Sequence, residues 1–162
     1  MQKNVEHLIA NLKCKELAPR VEAILELGRL RVMSAVPALV EALSDPETRS
    51  LACWALGRIG AKAAVKNILM LLADEDPLVR HEAVLALARI GDKRAAKPIA
   101  KLLQLDPDAK VREECAEALV AFPSDETIAA LKAAAENDPS KLVRERANKS
   151  LIIVKLRKLG VE

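Results

Sequence analysis

The chain has 162 residues, 26 Lys+Arg against 23 Asp+Glu, a formal net charge of +3 and 51% hydrophobic residues, yet only one Trp, one Phe and no Tyr. So much aliphatic content excludes a disordered chain, and the length suits one domain with a sizeable core. The scarcity of aromatic side chains disfavours a β-sandwich and any single-stranded nucleic-acid module that stacks bases on rings, so nucleic acid is not the expected partner.

The first residues, MQKNVEHLIANLKCKEL, hold no signal-like apolar core and no small-residue cleavage site, and no apolar run approaches the ~20 residues that span a bilayer. Cys14, Cys53 and Cys115 lie far apart with no CxxC pair, which indicates neither a disulfide framework nor a zinc site. A cytoplasmic chain without a transmembrane segment is the expectation. Val5, Leu8 and Leu12 are spaced as one apolar helix face and make residues 1–14 a half-repeat.

From there a repeat dominates. Asp-Pro pairs at Asp45, Asp76, Asp106 and Asp138 recur at spacings of 31, 30 and 32, each followed by an arginine: Arg49, Arg80, Arg112 and Arg144. Arg20 belongs to the same column. Three residues past each arginine stands Ala23, Ala52, Ala83, Cys115 or Ala147, and seven past it Leu27, Leu56, Leu87, Leu119 or Leu151. Ten past it stands Leu30, Ile59, Ile90, Phe122 or Val154. Offsets of 3, 7 and 10 form one helical stripe, and the small residue at offset 3 is expected to let a neighbouring backbone approach. Each Asp is expected to cap its helix with Pro in the first turn, and each Arg to bond an Asp of the adjacent repeat. Gly60 and Gly91 stand where left-handed C-caps belong.

A second helical pattern fills each period: SAVPALVEALSD, KAAVKNILMLLAD, RAAKPIAKLLQLD and ETIAALKAAAEND. Leu39, Ile68, Ile99 and Leu131 share one column, and Leu43, Leu72, Leu103 and Ala135 another. Neither helix buries its stripe alone, so stacking must create the core. The predicted units are residues 15–45, 46–75, 76–105 and 106–137, with a closing helix at 138–162, all in a single domain.

The segment DPLVRHEAVLALARIGDKRAAKPIAKLL resembles the PBS-lyase HEAT-like repeat, and the resemblance covers residues from about 15 to 158. It implies an all-α fold, an α-solenoid of stacked helix pairs with about ten helices, the second helix of each pair lining the concave face. Two departures stand out: the first repeat lacks Asp-Pro, and the fourth ends in Val-Ala-Phe-Pro where its neighbours end in glycine. Similar repeats occur in scaffold proteins, in bilin lyases and in deoxyhypusine hydroxylase. The resemblance therefore implies a protein-binding scaffold, a bilin lyase-like protein or subunit, or a metal-dependent hydroxylase-like protein.

Each reading points to its own residues. In the hydroxylase, paired His-Glu motifs bind iron. His81-Glu82 matches that motif, and Glu114 of the next repeat would complete a candidate metal set, although the aligned Val21-Glu22, Ser50-Leu51, Glu113-Glu114 and Glu145-Arg146 carry no histidine. Five residues past each arginine, where a polar residue is expected, stand Leu25, Trp54 and Leu85; with Leu51 they form a candidate apolar outer strip. On the second helices, Glu41, Lys66, Asn67, Met70, Lys97 and Lys101 are the candidate contacts of the concave face. The segment Pro139–Glu162 carries 7 basic and 2 acidic residues, and Ile152, Ile153, Leu156 and Leu159 exceed one packing stripe. That surplus suits a homodimer, a docked partner or an anionic surface.

No GxSxG elbow and no phosphate-cradling glycine loop occurs. The expectation from sequence is a non-catalytic interaction scaffold that needs no cofactor and takes a protein or peptide partner.

Overall fold

A computed structural model describes residues 2–161. Ten α-helices follow in order: α1 (Gln2–Asn11), α2 (Leu17–Arg29), α3 (Val36–Ala42), α4 (Arg49–Ile59), α5 (Val65–Met70), α6 (Pro77–Ile90), α7 (Ala96–Leu105), α8 (Ala109–Ala118), α9 (Asp125–Asn137) and α10 (Lys141–Lys158). No strand occurs among the described residues. Even-numbered helices carry the arginine column and odd-numbered helices the second pattern. Each odd helix packs on the even helix that follows it, and successive even helices pack on one another, so the chain is an all-α solenoid.

The core follows the repeat columns. Ala23, Ala52, Ala83, Cys115 and Ala147 are fully enclosed, as are Leu27, Leu56, Leu87 and Leu119, and Leu39, Ile68, Ile99 and Leu131 meet them from the odd helices. The offset-10 column departs at its first member: Leu30 is exposed, because α2 ends one residue before it. Gly60 and Gly91 adopt φ of 77° and 69°, the left-handed caps that stop α4 and α6.

Arginine and aspartate join the layers. Arg80 Nε and Nη2 grip Asp106 at 2.7 and 2.8 Å, and Arg112 grips Asp138 the same way at 2.8 and 3.0 Å. All four side chains are buried. Arg49 reaches Asp74 at 2.6 Å, and Arg20 reaches Glu47 at 2.7 Å and Asp45 at 3.4 Å. The remaining guanidinium nitrogen turns back to the chain's own bend: Arg80 Nη1 donates to the carbonyls of Asp74 and Glu75, and Arg112 Nη1 to those of Asp106 and Pro107. Arg144 holds the carbonyls of Asp138 and Pro139 in the same manner. Arg20, Arg49, Arg80 and Arg112 thus each fix their own turn and clamp the next one, by a bidentate charge-assisted contact at Arg80 and Arg112, while Arg144 holds its own turn.

This ladder corrects the expected alignment on Asp-Pro. The carboxylates that receive the arginines are Asp45, Asp74, Asp106 and Asp138, and each also accepts a backbone N–H two residues on, from Glu47, Asp76, Asp108 and Ser140 respectively. Asp76, although followed by Pro77, lies outside the ladder and caps α6 by accepting the Leu78 N–H at 2.8 Å. Asp108, not Asp106, caps α8. Asp-Pro begins four residues before the arginine at Asp45 and Asp76 but six before it at Asp106 and Asp138, which accounts for the short 30-residue spacing from Asp76 to Asp106.

The close approach expected at offset 3 occurs instead at two helical glycines. A Cβ on Gly57 would lie 2.7 Å from the Ala86 Cα, and one on Gly28 would lie 2.9 Å from the Ala55 Cα. Backbones of α2, α4 and α6 therefore lie almost in contact, while α1, α3 and α5 touch one another little.

Removing one partner of a buried, hydrogen-bonded pair strands a charge, so Asp106→Ala is expected to cost roughly 3–5 kcal/mol in denaturant unfolding. Glu41→Ala, which breaks only the exposed pair with Lys13, is expected to leave the midpoint almost unmoved. The ladder also dictates the acid response. Burial alone would raise Asp74 and Asp138, but backbone N–H groups and the guanidiniums of Arg49 and Arg112 hold both below the ordinary carboxylate value. A lowered folded pKa contributes stability at neutral pH and loses it as pH falls through the folded value. Thermal midpoints measured between pH 7 and pH 3 should therefore fall steeply below about pH 4.

Candidate partner-binding face

The exposed ridge of the even helices runs through offsets 2, 5 and 9 from each arginine. The structure aligns Leu25, Trp54 and Leu85 across α2, α4 and α6, with Leu51 one turn before Trp54. These side chains differ in freedom. Leu25 is 40% exposed, whereas Leu51, Trp54 and Leu85 are half-buried. The indole lies over Gly28, where an added Cβ would come within 2.6 Å of Trp54 Cζ3, and the Arg58 guanidinium sits 5.8 Å from the ring centroid. Trp54 is therefore a joint between α2 and α4 as well as a surface residue. The row lies on the layer of even-numbered helices and is only partly exposed.

Farther along the same layer an open groove of about 490 Å³ crosses α6, α8 and α10. Leu85, Ala88, Val120, Ala121 and Ile153 give it an apolar lining, and Arg89, Lys149 and Arg157 stand with Glu114, Glu117 and Arg146 as its charged lining. Arg146 bridges to Glu113 at 3.1 Å and Glu117 at 2.9 Å, tying α10 to α8. Sequence periodicity did not reveal this groove, because its apolar walls come from different offsets on different helices: Leu85 and Ala88 on α6, Val120 and Ala121 just past α8, and Ile153 on α10. Leu85 and Ile153 were its visible signals.

The other predicted contacts sit on the odd helices. Glu41 on α3 is exposed and 3.3 Å from Lys13 Nζ. Lys66, Asn67 and Met70 on α5, and Lys97 and Lys101 on α7, are exposed, Met70 by 75%. They are separate polar side chains around one methionine and form no enclosed surface.

The candidate metal residues do meet, though not around one point. His81 Nε2 lies 3.2 Å from Glu114 Oε2, and His81 Nδ1 lies 3.7 Å from Glu82 Oε1. The two carboxylates thus face opposite edges of the imidazole. The lone pairs of its two nitrogens diverge, so no single ion is reached by all three groups. Among the described residues no group of three His, Cys, Asp or Glu side chains is arranged to hold a metal ion. These residues do not fit a hydroxylase-like iron centre. Burial pushes the Glu114 carboxyl above its ordinary value, a tendency opposed by His81 and reinforced by Glu117.

The two buried cysteines, Cys53 and Cys115, are equally unsuited to nucleophilic work. Burial raises the Cys53 thiol to about 12 and lifts Cys115 further, so neither supplies thiolate near neutral pH.

Helix pairs in register, a one-sided close-packed layer and a repeated Arg–Asp clamp define a HEAT-type solenoid. The family profile described as HEAT repeats matches residues 5–75 and 65–152, and the chain belongs to the HEAT-repeat family. Among solved structures it is similar to a chain in the complex of CpcE and CpcF of phycocyanin lyase from Nostoc sp. PCC7120, at 29% identity and a TM-score of 0.81, over 96% of this chain and 66% of that one. This chain thus spans less than two thirds of that relative's length. It also resembles in fold a designed armadillo repeat protein in complex with the peptide (KR)4 (20% identity, TM-score 0.70, 94% and 84% covered) and human deoxyhypusine hydroxylase (19%, 0.51, 93% and 84%). No curated protein sequence matches the chain. No described helix is long and apolar enough to cross a membrane.

Trp54→Ala empties the space over Gly28 and should cost roughly 1–3 kcal/mol, less than for a fully enclosed tryptophan, as read by urea unfolding. Met70→Ala, on the open odd layer, should change nothing measurable.

Proposed function

We propose that this chain is a non-catalytic docking solenoid whose even-numbered helices form its inner face and hold a protein partner along it. One observation carries the reading: this is the layer that joins an apolar row, Leu25–Leu51–Trp54–Leu85, to an apolar groove with charged walls. Apolar area ringed by charge is the anatomy of a protein interface, where burial supplies affinity and the rim supplies selectivity. The buried thiols and the divergent His81 set support a role in binding over chemistry. The odd-helix residues Lys66, Asn67, Met70, Lys97 and Lys101 are left to solvent in this reading.

The likeness to a chain of a phycocyanin lyase complex favours a second reading, in which the chain is one subunit of a bilin-handling assembly and its inner face receives another protein of that assembly. Purified chain mixed with a linear tetrapyrrole would then show a bound, red-shifted absorbance band. Unaltered pigment spectra would count against this reading and leave the docking role intact.

The docking role is tested by photo-crosslinking in the native cell. A photoreactive residue at Leu25 or Leu51 should yield a discrete protein adduct, and one at Met70 or Lys97 should not. Adducts confined to Met70 or Lys97 would contradict the assignment of the face.

A further inference from the structure

α10 is the last helix of the described chain, and its solvent side is apolar well beyond what packing on α8 and α9 consumes. Ile152, Ile153, Leu156 and Leu159 are exposed by 61, 42, 43 and 78%. Arg157 Nη1 donates to the Val120 carbonyl at 2.8 Å and pins the end of α10 against the end of α8. A second hollow, lined by Ile153, Leu156, Arg157, Gly160 and Val161, adjoins the α6–α8–α10 groove at Ile153 and Arg157. Together they make one apolar trough from Leu85 to Val161.

The charges around this trough are unequally engaged. Glu117 is taken by Arg146, and Glu114 faces His81. Arg89 and Lys149 have no carboxylate within bridging distance among the described residues, and the segment from Pro139 onward carries 7 basic residues against 2 acidic ones. The trough is therefore apolar along its floor and cationic at its free edge.

Resting on the docking role above, we propose that this trough receives an acidic amphipathic helix of a partner protein. Two helix-to-helix steps of ~8–10 Å separate α6 from α10, a distance that about 12 helical residues span. Leucine-type side chains at i, i+3, i+4 and i+7 fill the row Leu85–Val120–Ile153–Leu156, and flanking Glu or Asp side chains meet Arg89 and Lys149. A second copy of this chain is disfavoured as occupant because it would bring the same cationic edge against itself. A flat anionic bilayer reaches the outer residues of α10 but not Leu85 and Val120, which are recessed between helices.

The test uses the full chain, isotope-labelled, titrated with two synthetic amphipathic peptides of about 12 residues that share one leucine pattern, one flanked by Glu and the other by Lys. The Glu peptide should shift the amide resonances of Leu85, Val120 and Ile153 and bind at least ~10-fold tighter than the Lys peptide, with the advantage shrinking at high salt. Ile153→Glu and Lys149→Glu, both at exposed positions, should each weaken it roughly tenfold with helical content unchanged. Equal binding of the two peptides, shifts confined to α5 and α7, binding only to phosphatidylserine vesicles, or dimerisation of the chain without peptide binding would each overturn the proposal. If Leu25 still forms protein adducts while the trough ignores the Glu peptide, the docking face stands and this inference alone falls.

Discussion

One contact recurs along the stack and sets everything else: an arginine in the first turn of α2, α4, α6 and α8, gripping a carboxylate of the next inter-helix turn. Apolar stripes attract one another without direction, so they bring helix pairs together but leave them free to slide. A bidentate guanidinium–carboxylate pair is directional, and when buried it penalises any register that leaves either charge unmet. Arg80–Asp106 and Arg112–Asp138 are the two enclosed pairs, and Arg49–Asp74 and Arg20–Asp45/Glu47 are its more open continuation toward the N-terminus. The ladder is better understood as a specifier of register than as a net source of stability, since an apolar pair of equal volume often stabilises as well.

Register is what turns columns in the sequence into rows on the surface. Because successive even helices start at equivalent arginines, equivalent contacts recur between them, Gly28 meeting Ala55 as Gly57 meets Ala86, and Leu25, Trp54 and Leu85 hold equivalent positions. Gly28 and Gly57 draw α2, α4 and α6 together on that side only. Toward the C-terminal end Ala88 and Val120 hold the positions of those glycines, and the groove opens there. The same repeat thus yields a closed, tryptophan-braced half and an open half able to take a ligand.

Most of the architecture was legible in the sequence. The offset-3 and offset-7 columns and the Leu39 and Leu43 columns name nearly the whole core, and the Arg-to-next-Asp contact was foreseeable from recurrence alone. What escaped was finer. The extra Asp74 in Ala-Asp-Glu-Asp-Pro hid which carboxylate is gripped, because a one-dimensional alignment follows the conspicuous proline rather than the turn. Small residues at offset 3 looked like contact points, yet they are ordinary core, and the true close approach sits at Gly28 and Gly57 in the Leu-Gly-Arg triplets. Trp54 looked free because its offset is outward on an isolated helix, and only a neighbouring helix with glycine opposite it gives the indole a seat. The groove required three helices at once, which no single periodicity displays.

The central claim is that the Arg–Asp contacts couple neighbouring repeats rather than decorate their turns. A double-mutant cycle on Arg112 and Asp138, with Arg112→Met and Asp138→Ala made singly and together and read by equilibrium urea unfolding, addresses it directly. The account predicts that the double variant is more stable than the sum of the single losses implies, with a coupling of at least about 1.5 kcal/mol. Additive losses, with coupling near zero, would show that the two side chains act on their own turns alone and would contradict it.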